Sequence, residues 1–239
     1  MPNHLPGCST LQLSHTLPAK TVLRTTGNLY TGNQLPIVVG PSLFTSVVNL
    51  FASSIDVRTI GKTGVKEFYY VWDPNLSGAH GLGAYQTFSK SGADYVVTPG
   101  SGSYGSSGCV NNCIQSGQAF FVQGTLAGGN LTFQEDAKSS GIMSAPLPKY
   151  KPGPELRINL YGVQSNGTTY MADGVFINYD ETYSSKVDDL DALKIANGNE
   201  NISIKNAGNF LAIVRRHSIM ERDTLHLNLS RMGTQAYRF

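Results

Sequence analysis

The stretch Glu67–Pro74, Glu-Phe-Tyr-Tyr-Val-Trp-Asp-Pro, holds the one tryptophan of the chain beside three other aromatic residues. Read as a strand, it loads both of its faces, with Phe68, Tyr70 and Trp72 on one and Tyr69 and Val71 on the other. Aromatic and β-branched side chains suit a pleated surface, and Pro74, having no N–H to give, ends the ladder. Each ring can bury about 150–250 Å², so the pattern predicts a central core strand with Trp72 pointing inward.

Other segments alternate or run apolar at strand length. Thr21–Thr31 reads as two strands about a Gly27-Asn28 turn, Leu35–Val39 as an apolar run, and Phe44–Ile60 as a longer stretch with a turn at Ser53–Asp56. Ala84–Phe88 returns from a glycine loop as the hairpin partner of the central strand. Ala119–Val122 has so few polar interruptions that it reads as covered on both faces. Leu131–Phe133 follows the Gly128-Gly129 turn. Beyond a segment carrying Pro146, Pro148, Pro152 and Pro154, Glu155–Val163 alternates cleanly, and Asn166-Gly167 turns it into Thr168–Ala172. Val175–Ile177, Asn201–Ile204, Phe210–Arg215, Thr224–Leu229 and Gln235–Phe239 complete the strands. Val187, Leu190 and Leu193 fall at three-residue spacing, which predicts one short helix or 3₁₀ turn within Lys186–Ala196. Many short strands with Gly and Asn turns and at most one short helix give an all-β fold, a β-sandwich or jelly roll of one domain or two packed β subdomains. The expected organisation is a disordered lead-in over 1–20, a first half over 21–138, a Pro-rich connector over 139–154 and a second half over 155–239.

Composition narrows the setting. Only 14% of residues are charged, against about a quarter in typical globular chains, while 26 are glycine and 12 tyrosine. That balance suits an extracellular or outer-surface β protein. The net charge of +2 and the scattered Lys and Arg argue against a nucleic-acid partner. No apolar run is long enough to span a membrane. The N-terminus lacks the basic start and apolar stretch of a signal peptide, so an exported chain reads as part of a longer multidomain protein. Cys109 and Cys113 lie in a Gly/Ser-rich loop where a short-range disulfide is the first reading, which leaves Cys8 over. A metal at the pair would need two further ligands, and no Cys/His pair at zinc spacing supplies them.

Three kinds of chemistry have candidates. Asp188, Asp189 and Asp191, with Asp173, Asp180 and Glu181 nearby, concentrate oxygen ligands of the kind calcium takes, making calcium the one candidate cofactor. The order Asp-Asp-Leu-Asp is not that of a calcium-binding loop, and a solvated face with an acidic helix start is the simpler account. Paired acids for glycoside hydrolysis could come from Asp56, Glu67, Asp73, Glu135 or Asp136, although Asp73 before proline is more simply a turn former. The serines at 101–108 lack the strand–elbow–helix setting of an activated nucleophile, and His217 and His226 read as strand residues. Exposed tyrosines offer platforms for the apolar face of a sugar. Tyr30, Tyr85, Tyr95, Tyr104 and Tyr161 qualify, and Tyr104, held in a long polar loop, leads with Tyr85 and Tyr95. Core and cross-strand packing is the competing use of the same rings.

Several segments, in order, resemble the β-rich region that precedes the C-terminal sorting domain in Bacteroidetes surface proteins exported by type IX secretion. They are Leu23–Gly27, Asn49–Asp56, Tyr70–Pro74, Gly83–Tyr85, Ile114–Val122, Leu131–Lys138, Leu156–Leu160 and Asp191–Lys194. The Trp-Asp-Pro strand followed by Ser-Gly-Gln-Ala-Phe-Phe-Val is the most specific element. Val48 and Leu50 stand where that family has Gly and Pro around the asparagine. The resemblance implies a secreted or surface-attached module without catalysis. The expected function is therefore structure, adhesion or presentation at a cell surface; binding of a glycan or surface polymer is the alternative, and secreted hydrolysis the third.

Overall fold

In a computed structural model, residues 26–76, 78, 82–100, 112–139 and 154–239 are described. The fold is all-β, curled sheets packed in a sandwich-like arrangement. The first part of the chain forms β1 (Ile37–Val39), β2 (Phe44–Val48), β3 (Ile55–Asp56), β4 (Gly61–Thr63), β5 (Val65–Asp73), β6 (Ala84–Ser91), β7 (Asp94–Thr98), β8 (Cys113–Ile114), β9 (Ala119–Gly124) and β10 (Gly129–Thr132). After a 3₁₀ turn at Glu135–Ala137 come β11 (Glu155–Val163), β12 (Thr169–Tyr179), β13 (Ala192–Leu193), β14 (Asn201–Asn206), β15 (Asn209–Arg216), β16 (Leu227–Ser230) and β17 (Ala236–Arg238).

Each sheet draws on one part of the chain. The five-stranded sheet runs β2-β9-β5-β6-β7, beside a three-stranded β1-β10-β4 sheet and the β3-β8 pair; the later strands run β16-β14-β15-β12-β11-β17, with β13 added on β15. β12 and β15 run parallel and the other paired strands antiparallel. β5 sits at the centre of its sheet, between the expected hairpin partner β6 and the apolar β9.

The two faces of β5 separate as the alternation predicts. Tyr69 and Val71 enter a core with Val47, Phe88, Tyr95, Val97, Phe120, Val122, Leu131 and Phe133. Tyr69 stacks on Phe88 at 4.5 Å between ring centroids and meets Tyr95 edge-on at 5.0 Å. Phe68 and Tyr70, on the opposite face, bury against Phe176, Ala192, Ala212 and Ile213 from the later strands. A second core, around Leu160, Val175, Ile177, Ile202, Ile204, Leu211 and Val214, fills the later sheet. Within the three-stranded sheet, β10 and β4 approach closely at Gly129, where an added Cβ would lie 1.9 Å from the Thr63 carbonyl oxygen.

Three expectations are corrected. Residues 26–36, the expected second arm of the Gly27-Asn28 hairpin, contain no strand. Lys186–Ala196 forms turns and the short β13 rather than a helix. Thr168–Ala172 and Val175–Ile177 belong to one eleven-residue strand, β12. The lead-in over 1–20 and all but the ends of the 139–154 connector lie outside the described residues.

Candidate functional site

Along β5 the side chains of one face meet different fates. Phe68 is 2% exposed and Tyr70 0%, whereas Trp72 is 39% exposed. The expectation that Trp72 points into the core is overturned: the cluster that buries Phe68 and Tyr70 against Phe176, Ala192, Ala212 and Ile213 does not include it.

Register assembles an aromatic ledge at that end. Trp72 pairs with Tyr85 on β6, Tyr70 with Phe121 on β9, and Phe121 with Ser46 on β2, so these side chains and Phe44 share a face. Trp72 and Tyr85 meet edge to face at 4.9 Å, Tyr85 and Phe121 at 5.9 Å, and Phe44 and Tyr70 at 5.3 Å. Phe44 is 37% exposed, Val48 and Ala119, a cross-strand pair farther along the same face, are exposed, and Tyr85 and Phe121 are half-buried. Phe44 lies over Tyr70, whose phenol is pushed far above its usual range by burial.

The ledge is braced from below. At Gly83, with φ +82°, an added Cβ would lie 2.8 Å from Cε2 and Nε1 of Trp72, so the indole rests on bare backbone. The Tyr85 N–H donates to Asn197 Oδ1 at 2.8 Å, fastening β6 to the later strands. Asn201 holds that loop by donating to the carbonyls of Asn197 and Asn199 and by accepting from the Asn197 N–H. The rings are thus mounted on paired strands, with little freedom to lose on contact with a ligand.

The candidates from the sequence separate on the same grounds. Tyr85 stands in the ledge. Tyr95 is 4% exposed, packed on Tyr69, and offers no face to a sugar. Its hydroxyl accepts from Lys62 Nζ and donates to Glu67, and burial first, then the Glu67 charge, raises its pKa. Tyr104 lies outside the described residues, as does Cys109, so the Cys109–Cys113 bridge does too; Cys113 sits on β8 against β3. Tyr30 is exposed beside a groove of about 680 Å³ between residues 26–30 and Asn49–Ala52, and Tyr161 is half-buried on β11.

The acidic trio does not form a calcium site. Asp191 is buried and its two oxygens accept from the backbone N–H groups of Asp188 and Arg215; burial nevertheless raises its pKa. Asp188 Oδ1 accepts from the Leu190 N–H, and Asp189 faces Lys66 at 3.4 Å. Calcium needs several free oxygens around one point. Among the described residues no group of three or more His, Cys, Asp or Glu could hold a metal ion.

The carboxylates considered for hydrolysis are dispersed in structural roles. Asp56 accepts from Arg58 and Asn112. Burial alone would raise its pKa, but those hydrogen bonds and the Arg58 charge hold it below the usual range. Burial works the same way on Glu67 and is outweighed by Lys62, Lys90 and Tyr95. Asp73 accepts from the Asn75 N–H at 2.9 Å, capping the turn after β5. Glu135 binds the Gly32 N–H and Lys138, and Asp136 is exposed. His217 reaches the Ser218 carbonyl and His226 is exposed.

Sequence reasoning missed Trp72 and Phe44 as surface residues. The one available signal was the position of Trp72, last on its face before Asp73-Pro74. Among the described residues no helix is long and apolar enough to cross a membrane. Comparison of the chain with protein-family models, curated proteins and solved structures gives no match.

Proposed function

We propose that this chain is a non-enzymatic β-rich module of an exported surface protein, and that it adheres to carbohydrate through the ledge of Trp72, Tyr85, Phe121 and Phe44. The carrying observation is the exposure of Trp72 on a strand whose other aromatics are buried. A part-exposed indole fixed at right angles to a tyrosine presents apolar area that a pyranose face can cover, leaving the sugar hydroxyls in water. The low charge of the chain and its resemblance to type IX-exported surface proteins support the setting. The favoured role in adhesion and the alternative of glycan binding thus meet in one surface.

Trp72 is the single tryptophan, so intrinsic fluorescence reports on this position alone. Titration with a panel of soluble polysaccharides is expected to change its emission with at least one of them. Retention of Trp72→Ala in affinity electrophoresis on that polymer should weaken by about tenfold or more, equivalent to about 1.4 kcal/mol. Unchanged emission with every polymer, or equal retention of wild type and Trp72→Ala, would overturn the proposal.

A further inference from the structure

A buried ion pair in the later half of the chain has no part in the ledge. Asp173, mid-way along β12, is fully buried, and Lys194, just past β13, is 6% exposed at its side chain. Lys194 Nζ lies 2.5 Å from Asp173 Oδ1, and Asp173 Oδ2 accepts the Ile202 N–H at 2.9 Å. Leu160, Val175 and Ile202, from the surrounding strands, belong to the second apolar core.

We propose that Lys194 and Asp173 condense into an intramolecular amide that ties β12 to the segment after β13.

Holding a full positive and a full negative charge out of water is costly, and moving one proton from Nζ to Oδ1 removes both charges. Burial raises the Asp173 pKa, and the Lys194 charge and the hydrogen bonds from Lys194, Ile202 and Gly174 offset that only in part. In the proposed step that proton passes from Nζ to Oδ1 across the contact, leaving an amine lone pair against a carboxylic acid. Nζ attacks Cγ, and the negative charge that develops on Oδ2 is met by the Ile202 N–H already directed at it. The Cγ–Oδ1 bond then breaks, and Oδ1 leaves as water, carrying the proton it received and a second one from Nζ. Nζ keeps one hydrogen as the amide N–H. The ammonium and carboxylate have become an amide and one water, with no oxidant or cofactor needed. The closeness of Nζ to the carboxyl supplies the proximity such a condensation lacks between free molecules.

The test is the intact mass of the full chain under denaturing conditions, followed by tryptic peptide sequencing. The expected mass is short of the sequence mass by one water. The expected digest contains a branched peptide joining the Asp173 and Lys194 segments, uncut after Lys194. Lys194→Arg and Asp173→Ala should each restore the full mass; because the measurement is made on unfolded protein, the wild-type result decides even where a variant folds poorly. Asp173 precedes Gly174, and such a pair can also lose water by closing onto its own backbone. A linear peptide dehydrated at Asp173, with trypsin cutting normally after Lys194, would overturn the proposal, as would a wild type at full mass.

Discussion

Asn49 is the most heavily bonded side chain in the turn that follows β2. It is 2% exposed; its Nδ2 donates to the carbonyls of Ser53 at 2.8 Å and of Ile114 and Gln115 at 3.1 Å, and its Oδ1 accepts from the Phe51 N–H at 3.0 Å. The side chain thereby ties the turn to the chain around β8. Asn49→Asp preserves the shape and replaces two donor hydrogens by an acceptor aimed at three carbonyl oxygens. A buried polar group left unsatisfied costs about 1–3 kcal/mol, and two hydrogens serve here, so the loss should be about 3–5 kcal/mol at neutral pH. That is a large share of the ~5–15 kcal/mol that holds a typical domain together. The new carboxyl is destabilised as an anion by its carbonyl neighbours, so its folded pKa lies above the unfolded value of about 3.9. The protonated form is tolerated best, hence the variant's deficit is smallest below about pH 4 and grows as the pH rises toward its folded pKa. Urea denaturation at about pH 4 and at about pH 7, followed by far-ultraviolet circular dichroism, measures both numbers. A neutral-pH loss below about 1 kcal/mol, or a deficit that shrinks as pH rises, would refute the reasoning.

Gly129→Ala would place a Cβ 1.9 Å from the Thr63 carbonyl oxygen and 2.6 Å from that of Gly64. Backbone must move to make room, and a loss of about 3 kcal/mol or more is expected in a thermal or urea melt. Asp56 has a depressed folded pKa, so its contribution is fully present above the unfolded value of about 3.9 and is lost as pH falls through the folded one. Asp56→Asn should therefore flatten the acid limb of the stability–pH profile, and an unchanged acid limb would count against the Arg58–Asn112 arrangement. Calcium or a chelator should leave the melting temperature unchanged, because the oxygens of Asp191 are committed to backbone N–H groups; a calcium-dependent rise would show that the turn opens to bind it.

Several strands were legible from alternation and turn chemistry together. Phe68–Trp72, Ala84–Phe88 and Ala119–Val122 pair as their patterns suggest, and Asn166-Gly167 joins β11 to β12. The misreadings have physical sources. Asp173-Gly174 separates the two expected strands Thr168–Ala172 and Val175–Ile177, which the fold joins as β12. In the fold Asp173 stays in the strand because Lys194 and the Ile202 N–H satisfy its carboxylate, neither of which lies near it in sequence. The expected helix at Lys186–Ala196 rested on Val187, Leu190 and Leu193, yet Leu190 is 40% exposed. Asp188 and Asp191 use their short side chains to bind nearby backbone N–H groups, which offers the chain a turn instead of a helix. Tyr85 and Tyr95 carry the same side chain on neighbouring strands, and only the face each occupies decides which reaches water.

That last distinction governs the central strand as well. Periodicity says which residues of β5 share a face; it carries no information about how far along that face the opposing sheet extends. Phe68, Tyr70 and Trp72 are equivalent by alternation, and the first two are core residues because Phe176, Ala212 and Ile213 lie over them. Trp72 is outside that cluster, supported on one side by Gly83 and flanked by Tyr85. The strand is therefore scaffold at one end and surface at the other. The rigidity that makes Trp72 a ready contact comes from the burial of its neighbours, so truncating Tyr70 should unsettle the fold while truncating Trp72 should leave it standing and strip the ledge of its principal ring.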